Sequence, residues 1–218
     1  MDVEAAFRGL LHADAAVVAV PYDTDPPPLL PEEALDAERM VPRRRREFGL
    51  GRYCARRALA ALDVPPVALP MGADRSPKWP SSVVGSITHW EGWCVAAVAP
   101  AATCRALGVD GESRRALPAG VRELVATESE QAWLLDTDPG CHWETALFTM
   151  KEAVYKACAR LTGFWLDFKD VDLTIDVDSS RFRAKLRLPQ VPPSLPARLE
   201  GRYAIEEDAV LAAVVVPQ

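Results

Sequence analysis

Several features that would identify other classes of protein are missing from this sequence. No apolar run approaches the ~20 residues that a membrane-spanning helix needs. The N-terminus carries the acids Asp2 and Glu4 instead of the basic and then apolar stretch of a signal peptide. The five cysteines are scattered, without the paired spacing of a metal site. We therefore expect a cytoplasmic protein with reduced thiols and no membrane association.

The best-known catalytic motifs are missing too. The sequence has neither a Walker phosphate loop nor a dinucleotide-binding fingerprint. Its three histidines form no zinc motif and no catalytic triad. None of its serines lies in a nucleophile elbow. Nothing in the sequence thus indicates an activated nucleophile.

Positive charge is scarce overall but clustered in one place. The net charge of −6 argues against a general nucleic-acid-binding protein. Residues 43–46 are nevertheless consecutive arginines, and Arg52, Arg56 and Arg57 follow closely. Such a cluster on an acidic protein is suited to bind a compact anion. The alternative is a solvated basic face of a helix.

Length and composition are those of an ordinary globular protein. The 218 residues, 49% hydrophobic and 26% charged, suit one large domain or two small ones. A helical segment begins at Leu30-Pro31, and another, spanning 117–135, should break near Thr127. Hydrophobic patterning predicts further helices over 45–62 and 145–161, and strands over 15–20, 83–88, 93–99, 106–110, 173–177, 181–188 and 210–216. This alternation favours an α/β or α+β layout.

A short internal repeat connects the two halves of the chain. Residues 46–56 align with residues 146–156, so that Phe48 matches Phe148. A predicted strand and a Leu-Pro helix start precede each copy. The repeat predicts two related halves that form a pseudo-dimer with a cleft between them.

Three carboxylates and a lysine are spaced so that they could converge. Asp110 and Glu112 point to the same side if residues 106–112 continue as a strand. Glu152 and Lys156 lie four apart on one face of a helix. Carboxylates beside a lysine suit a hard divalent cation that holds phosphate oxygens. The alternative is that Asp110 merely ends a strand and that Glu152 forms a surface ion pair.

The segment Gly-Ser-Ile-Thr-His at 85–89 offers further contacts for an anion. The hydroxyl of Ser86 and the imidazole of His89 can hydrogen-bond phosphate oxygens, and a protonated His89 would add charge. A lone histidine is, however, more often structural than functional.

The order and spacing of five motifs resemble those of the 4′-phosphopantetheinyl transferases, most closely the monomeric, two-lobed surfactin/enterobactin type. The Asp-Gly-Glu and Lys-Glu-Ala-Val-Tyr-Lys motifs are the most specific part of the resemblance. It extends over residues 46–58, 75–80, 85–89, 108–112 and 148–157. It implies an α+β fold, a pseudo-dimer of two similar α/β lobes with an N-terminal lobe at 1–105 and a C-terminal lobe at 106–218.

The resemblance also implies a reaction. Phosphopantetheine would pass from coenzyme A to a serine hydroxyl of an acyl, peptidyl or aryl carrier protein, leaving adenosine 3′,5′-bisphosphate. By the family pattern, Asp110, Glu112 and Glu152 would hold Mg²⁺, or alternatively Mn²⁺. Glu152, Lys156 and Asp110 would be catalytic, with Glu152 accepting the proton of the serine and Lys156 neutralising the pyrophosphate. The residues that would contact coenzyme A are Arg44, Arg52, Arg75, Lys78, Ser86, His89 and Lys156.

The sequence leaves several alternatives open. The arginines at 43–46 suit either the coenzyme A phosphates or an acidic carrier protein. Phe164 and Trp165 suit either the core or a carrier helix. The two-lobed resemblance implies a monomer. Another metal-dependent nucleotide phosphotransfer enzyme and an inactive relative that only binds carrier proteins are the competing functions, although the chain retains the metal carboxylates and Lys156.

Overall fold

Two antiparallel sheets, each with one long helix, organise the chain. The computed structural model describes residues 1–162, 166–196 and 198–218. The helices are α1 (Val3–Leu10), α2 (Pro31–Ala37), α3 (Pro42–Ala60), α4 (Val121–Val125), α5 (Glu128–Leu135) and α6 (Trp143–Thr162). The strands are β1 (Ala16–Pro21), β2 (Val83–Trp90), β3 (Trp93–Pro100), β4 (Cys104–Ser113), β5 (Val171–Asp176), β6 (Arg181–Leu186), β7 (Arg198–Ile205) and β8 (Ala209–Pro217). The predicted α+β class is confirmed.

The strand order reproduces the internal repeat. The first sheet has the order β1-β3-β2, and the second has the order β4-β8-β7-β6-β5. In each half, the strand that precedes the long helix pairs with the last strand of a later hairpin. Helices α3 and α6 occupy the corresponding positions between these strands. The second sheet therefore has the strand arrangement of the first, with the two strands β6 and β5 added at one edge.

Three clusters of buried side chains hold the layers together. Helix α3 packs on the outer face of the first sheet through residues such as Leu50 and Leu59. Helix α6 packs on the second sheet through residues such as Met150 and Val154. The remaining faces of both sheets share a third cluster, in which Phe7 of α1 lies with Leu107 and Leu211. Because this core takes side chains from both halves, apolar burial joins them.

Local sequence signals account for most of the element boundaries. Pro42 sits in the first turn of α3, where its fixed backbone angle and missing N–H are tolerated. The predicted break near Thr127 is confirmed, because Thr127 caps α5 and separates it from α4. Helix α1 and strand β7 were not predicted from the sequence. In the part of the chain that the structure describes, no helix is long and apolar enough to span a membrane.

Candidate active site

A glycine allows α6 to lie directly against β4. A side chain at Gly108 would place its Cβ atom 1.9 Å from the carbonyl oxygen of Ala153, on α6. Only glycine permits this approach of backbone to backbone. The consequence is that Asp110, two residues further along β4, lies within reach of Lys156 on the next turn of α6.

Asp110 is the best-defined group of the site. Its side chain is 6% exposed, and its Oδ1 atom accepts hydrogen bonds from Lys156 Nζ at 2.7 Å and Thr88 Oγ1 at 2.8 Å. Lys156 Nζ also donates to the carbonyl oxygen of Val109 at 3.1 Å. The Oδ2 atom of Asp110 is buried and has no hydrogen-bond partner in the structure. A buried carboxylate oxygen without a partner is costly, which makes it a candidate ligand for a cation.

Glu112 and Glu152 lie close enough to Asp110 for its charge to change their pKa values. Burial raises the pKa of Glu112 to about 7, and the neighbouring charges of Asp110 and Glu152 add to the rise while Lys156 opposes it. Burial, followed by the charge of Asp110, likewise raises the pKa of Glu152. A divalent cation bound between these three carboxylates would offset the repulsion between their negative charges.

The predicted metal ligands are close to one another, but their side chains do not converge on a single metal position. Among the described residues, no three acidic, histidine or cysteine side chains are arranged closely enough to hold a metal ion as they stand. The unpartnered oxygen of Asp110 and the charge effects of Asp110 and Glu152 on Glu112 nevertheless fit a hard cation with oxygen ligands. The three residues therefore stay predicted ligands for Mg²⁺.

The residue between the two β4 carboxylates is constrained by an aromatic ring. A Cβ atom at Gly111 would lie 2.6 Å from the ring of Trp90, at the end of β2. Trp90 is buried in the core that both halves share. A side chain at position 111 thus has no room here while Trp90 keeps its place.

Two hydroxyls connect β2 to β4. The backbone N–H of Val109 donates to Ser86 Oγ at 3.0 Å, and the backbone N–H of Gly111 donates to Thr88 Oγ1 at 3.3 Å. Ser86 is buried, and its hydroxyl lies 3.5 Å from the carbonyl oxygen of Val109. These contacts give Ser86 a structural role, whereas its contact with coenzyme A stays a prediction.

A second polar cluster lies beside the carboxylates, around Glu47 of α3. Its carboxylate accepts from Arg43 Nε at 3.1 Å and Arg44 Nη1 at 3.3 Å, and lies 3.0 Å from His89 Nε2. Burial lowers the pKa of His89; Arg44 and Lys156 lower it further, whereas Glu47 opposes them. Thr88, the neighbour of His89 on β2, donates to Asp110, so this cluster adjoins the carboxylate site. Before an anion binds, the protonated, positively charged form of His89 is therefore disfavoured.

Arg52, a predicted contact with coenzyme A, is almost completely buried. It is 5% exposed, donates from Nε to the carbonyl oxygen of Leu69 at 2.6 Å, and stacks 4.1 Å from the ring centroid of Phe48. Burial lowers its pKa to about 10. Nearby, the fully buried Glu33 accepts from Arg56 Nη1 at 2.7 Å and from the backbone N–H of Leu69 at 3.0 Å. These contacts hold Leu69, in the loop that follows α3.

That loop carries the remaining predicted contacts with coenzyme A. Arg75 and Lys78 are exposed, and Arg75 adopts a positive φ of 65°. Burial, and then the charges of Glu152 and of Asp74 in this loop, raise the pKa of Tyr155 on α6. Phe164 and Trp165, which suit either the core or a carrier helix, lie outside the described residues.

Sequence reasoning missed the buried lysine that holds α6 in place. Lys151 is 1% exposed and donates to Glu130 Oε2 at 2.7 Å and to the carbonyl oxygens of Val125 and Phe168 at 2.8 and 2.9 Å. The signal available was Glu130 itself, three residues after the cap Thr127, where a capping-box glutamate belongs. The roles of Glu33 and Glu47 depend on distant partners, and no local pattern indicates them.

Comparison with known proteins agrees with this arrangement. The family model for the 4′-phosphopantetheinyl transferase N-terminal domain matches residues 30–99. The model for the 4′-phosphopantetheinyl transferase superfamily matches residues 106–213, which include β4, α6 and their carboxylates.

Three curated relatives are similar over most of their length. The 4′-phosphopantetheinyl transferase Svp of Streptomyces mobaraensis is 44% identical over 86% of this chain and 78% of its own. PptT of Mycobacterium tuberculosis is 40% identical over 88% of this chain and 89% of its own. Npt of Nocardia iowensis is 38% identical over 84% of this chain and 86% of its own. The chain therefore belongs to the 4′-phosphopantetheinyl transferase superfamily and is an enzyme of this class.

Proposed function

We propose that the chain transfers the 4′-phosphopantetheine arm of coenzyme A to a serine hydroxyl of an acyl, peptidyl or aryl carrier protein. The observation that carries this proposal is Asp110, a buried carboxylate with one oxygen held by Lys156 and Thr88 and the other without a partner. The names of the three relatives, each a 4′-phosphopantetheinyl transferase, support the same reaction.

The reaction is a displacement at phosphorus. The serine oxygen forms a bond to the phosphorus that bears the pantetheine arm, and the bond from that phosphorus to the oxygen of adenosine 3′,5′-bisphosphate breaks. Mg²⁺, or alternatively Mn²⁺, held by Asp110, Glu112 and Glu152, would neutralise the charge that develops on the pyrophosphate. The serine proton goes to Glu152, whose pKa is raised mainly by burial, which suits it to accept a proton.

Lys156 and the second polar cluster bind the donor in this proposal. Lys156 presents a cation next to Asp110, where the leaving phosphate gains charge. Arg44 and His89 would exchange part of their contact with Glu47 for coenzyme A phosphates. Arg52, Arg75, Lys78 and Ser86 keep their predicted contacts with coenzyme A in this scheme, and the arginines at 43–46 serve either coenzyme A or the carrier. A single chain acting in the cytoplasm is part of the same proposal.

Intact-protein mass spectrometry of an apo carrier protein tests the proposal. The carrier is incubated with the enzyme, coenzyme A and Mg²⁺, and it should gain the mass of one phosphopantetheine arm. The gain should disappear without the divalent cation and with Glu152→Ala, but it should persist with Glu128→Ala, which removes an exposed glutamate of α5.

Other outcomes distinguish the competing functions. No mass change across acyl, peptidyl and aryl carriers, together with retained carrier binding, would identify a relative that binds without modifying. Turnover of simple nucleotides without a carrier would identify a different phosphotransfer enzyme. Full activity of Glu152→Ala would remove Glu152 from the assigned machinery while leaving the reaction in place.

A further inference from the structure

The pseudo-dimer leaves part of one sheet face uncovered. The face of β8 that bears Leu211 and Ala213 is buried against the N-terminal half. Strands β6 and β5 have no counterparts in the three-stranded sheet, and the same face of β7 and β6 stays exposed at its polar positions. A groove of about 690 Å³ lies there, between the end of α1 at Leu10–His12 and the loop at Pro196.

The groove is basic on an otherwise acidic chain. Asp176 and Glu200 are its only acidic lining residues among those described, whereas five arginines line it: Arg105, Arg181, Arg183, Arg198 and Arg202. None of these arginines forms an ion pair within the described ranges. Among the described residues, Arg105 and Arg202 donate only to backbone carbonyl oxygens, those of Ser194 and Gly9. The chain as a whole carries a net charge of −6, so this local excess is not a consequence of composition.

The register of β6 and β7 places like charges opposite each other. Arg181 pairs with Arg202, and Lys185 pairs with Arg198, on either side of an Arg183–Glu200 pair. Like charges in directly opposed positions destabilise a sheet. In the strand register, Arg181 and Lys185 of β6 lie opposite Asp176 and Asp172 of β5. Arg202 lies opposite Ala213 of β8, so that neither Arg198 nor Arg202 has an acid directly opposite it in the neighbouring strands.

We propose that this face is a docking surface for an acidic protein segment. Arg198 and Arg202 project from the same side of β7, four residues and therefore about 13 Å apart. A partner in extended conformation would place carboxylates at positions i and i+4 against them. The partner would supply the negative charge that the sheet lacks, so docking would turn a repulsive arrangement into an attractive one.

The pattern favours a protein over a uniform polyanion or free phosphate. Glu200 lies between the two unpaired cations and would repel a continuous row of phosphates. Leu10, Leu11 and Val215 add apolar surface to the groove, which suits the mixed surface of a polypeptide. A compact phosphate would engage one cation and leave the other uncompensated.

This surface is separate from the site of the proposed reaction. None of the residues that line the groove is among the predicted metal, catalytic or coenzyme A ligands. Arg105 and Asp110 lie five residues apart on β4, which corresponds to about 17 Å along the strand. A bound partner can therefore stay in place while the reaction proceeds, and the inference does not depend on the proposed function.

Fluorescence anisotropy with a synthetic peptide tests the proposal at low ionic strength. The labelled probe is a short Ser/Thr-rich peptide with glutamates at i and i+4. The reference peptide has the same composition but glutamates at i and i+3, which face opposite sides of an extended segment. The probe should bind the full-length protein at least about tenfold more tightly than it binds Arg198→Glu/Arg202→Glu. The reference peptide should bind the full-length protein weakly.

A matched variant separates the groove from general charge. Arg122→Glu/Arg160→Glu changes the net charge equally at two exposed positions outside the groove and should bind the probe like the parent. Equal losses in both double variants, equal binding of both peptides, or no binding of the probe would each overturn the proposal. Tighter binding of a single-stranded oligonucleotide than of the probe would overturn it in favour of nucleic acid.

The melting temperature provides an independent test, because a docking role and a structural role of Arg198 predict different results. Arg198→Glu alone creates an opposite-charged pair with Lys185, so its melting temperature should equal or exceed that of the parent. A docking role predicts weaker probe binding in the same variant. A lower melting temperature would show that Arg198 stabilises the sheet and would contradict the proposal.

Discussion

At the scale of single residues, the space around Gly111 constrains the metal motif. Gly111→Ala would bring a Cβ atom to 2.6 Å from the ring of Trp90, which is buried and cannot move freely. We expect a loss of about 1–3 kcal/mol in the free energy of unfolding, because overpacking forces side chains off their preferred positions. Urea denaturation followed by circular dichroism measures the change.

Gly9→Ala provides the matched control for this substitution. Nothing lies within 4 Å of a Cβ atom at Gly9, which belongs to α1. Alanine favours a helix over glycine, so this variant should be as stable as the parent or up to about 1 kcal/mol more stable. Equal stability of Gly111→Ala and the parent would show that Trp90 moves aside, and the steric argument would fail.

The sequence predicts residues of the site when their chemistry follows from local spacing. Asp110 and Glu112 share a strand, Glu152 and Lys156 share a helix, and their approach requires only that the two elements pack together. The cluster around Glu47 could not be predicted in the same way, because His89 comes from β2, far along the chain. Its position depends on how α3 lies against the first sheet.

At the scale of elements, the hydroxyls of Ser86 and Thr88 connect β2 to β4 and so hold the two halves together at the site. Ser86→Ala would leave the buried backbone N–H of Val109 without its partner. We expect a loss of about 1–3 kcal/mol in the free energy of unfolding. A purely structural role for Ser86 predicts an unchanged KM for coenzyme A, whereas loss of the predicted contact with coenzyme A would raise this KM.

Denaturation and steady-state kinetics on the same variant distinguish the two roles of Ser86. The exposed Ser81→Ala is the control and should match the parent in both measurements. A higher KM for coenzyme A with unchanged stability would favour the contact with coenzyme A that the sequence predicts, and would argue against a structural role.

Helix α6 depends on a buried ion pair for its attachment to the elements around it. Lys151→Met would leave Glu130 charged and buried, and it would remove the partner of two backbone carbonyl oxygens. Breaking such a pair by deleting one member costs about 3–5 kcal/mol. Chemical denaturation should show this loss, whereas Lys169→Met, at an exposed position, should have little effect.

A second substitution tests the reason for that loss. Glu130→Gln in the Lys151→Met background removes the uncompensated charge, so the double variant should regain part of the stability. A double variant no more stable than Lys151→Met would show that the lost hydrogen bonds, rather than the buried charge, dominate.

The sequence predicts helices and strands where their apolar periodicity is strong, and it does not predict them where this periodicity is interrupted. The long helices and the β2–β3 hairpin have clear periodicity, and Gly92 adopts the positive φ of 99° that their turn requires. Strand β7 alternates buried residues with arginine and glutamate and contains Gly201, which lowers its strand signal. Helix α1 is short, although Asp2 caps it.

At the scale of the whole molecule, the repeat suggests two lobes, but the buried clusters do not divide at residue 105. Val17 and Val95 of the first sheet share a core with Leu107 and Leu211 of the second. A repeat in sequence reports common local structure, whereas cooperativity depends on where apolar surface is buried. The halves are therefore expected to fold as one unit.

Separate expression of residues 1–105 and 106–218 tests this expectation. Each half would expose the face that the other half covers, including Leu107, Val109 and Leu211 in the C-terminal piece. Exposed apolar surface of this extent favours aggregation over folding. We expect neither piece alone to give a dispersed amide NMR spectrum, and we expect the intact chain to unfold in a single transition. A cooperative transition in the isolated 106–218 piece would show that α6 and the five-stranded sheet suffice for a stable domain, with the shared core contributing only to the geometry of the site.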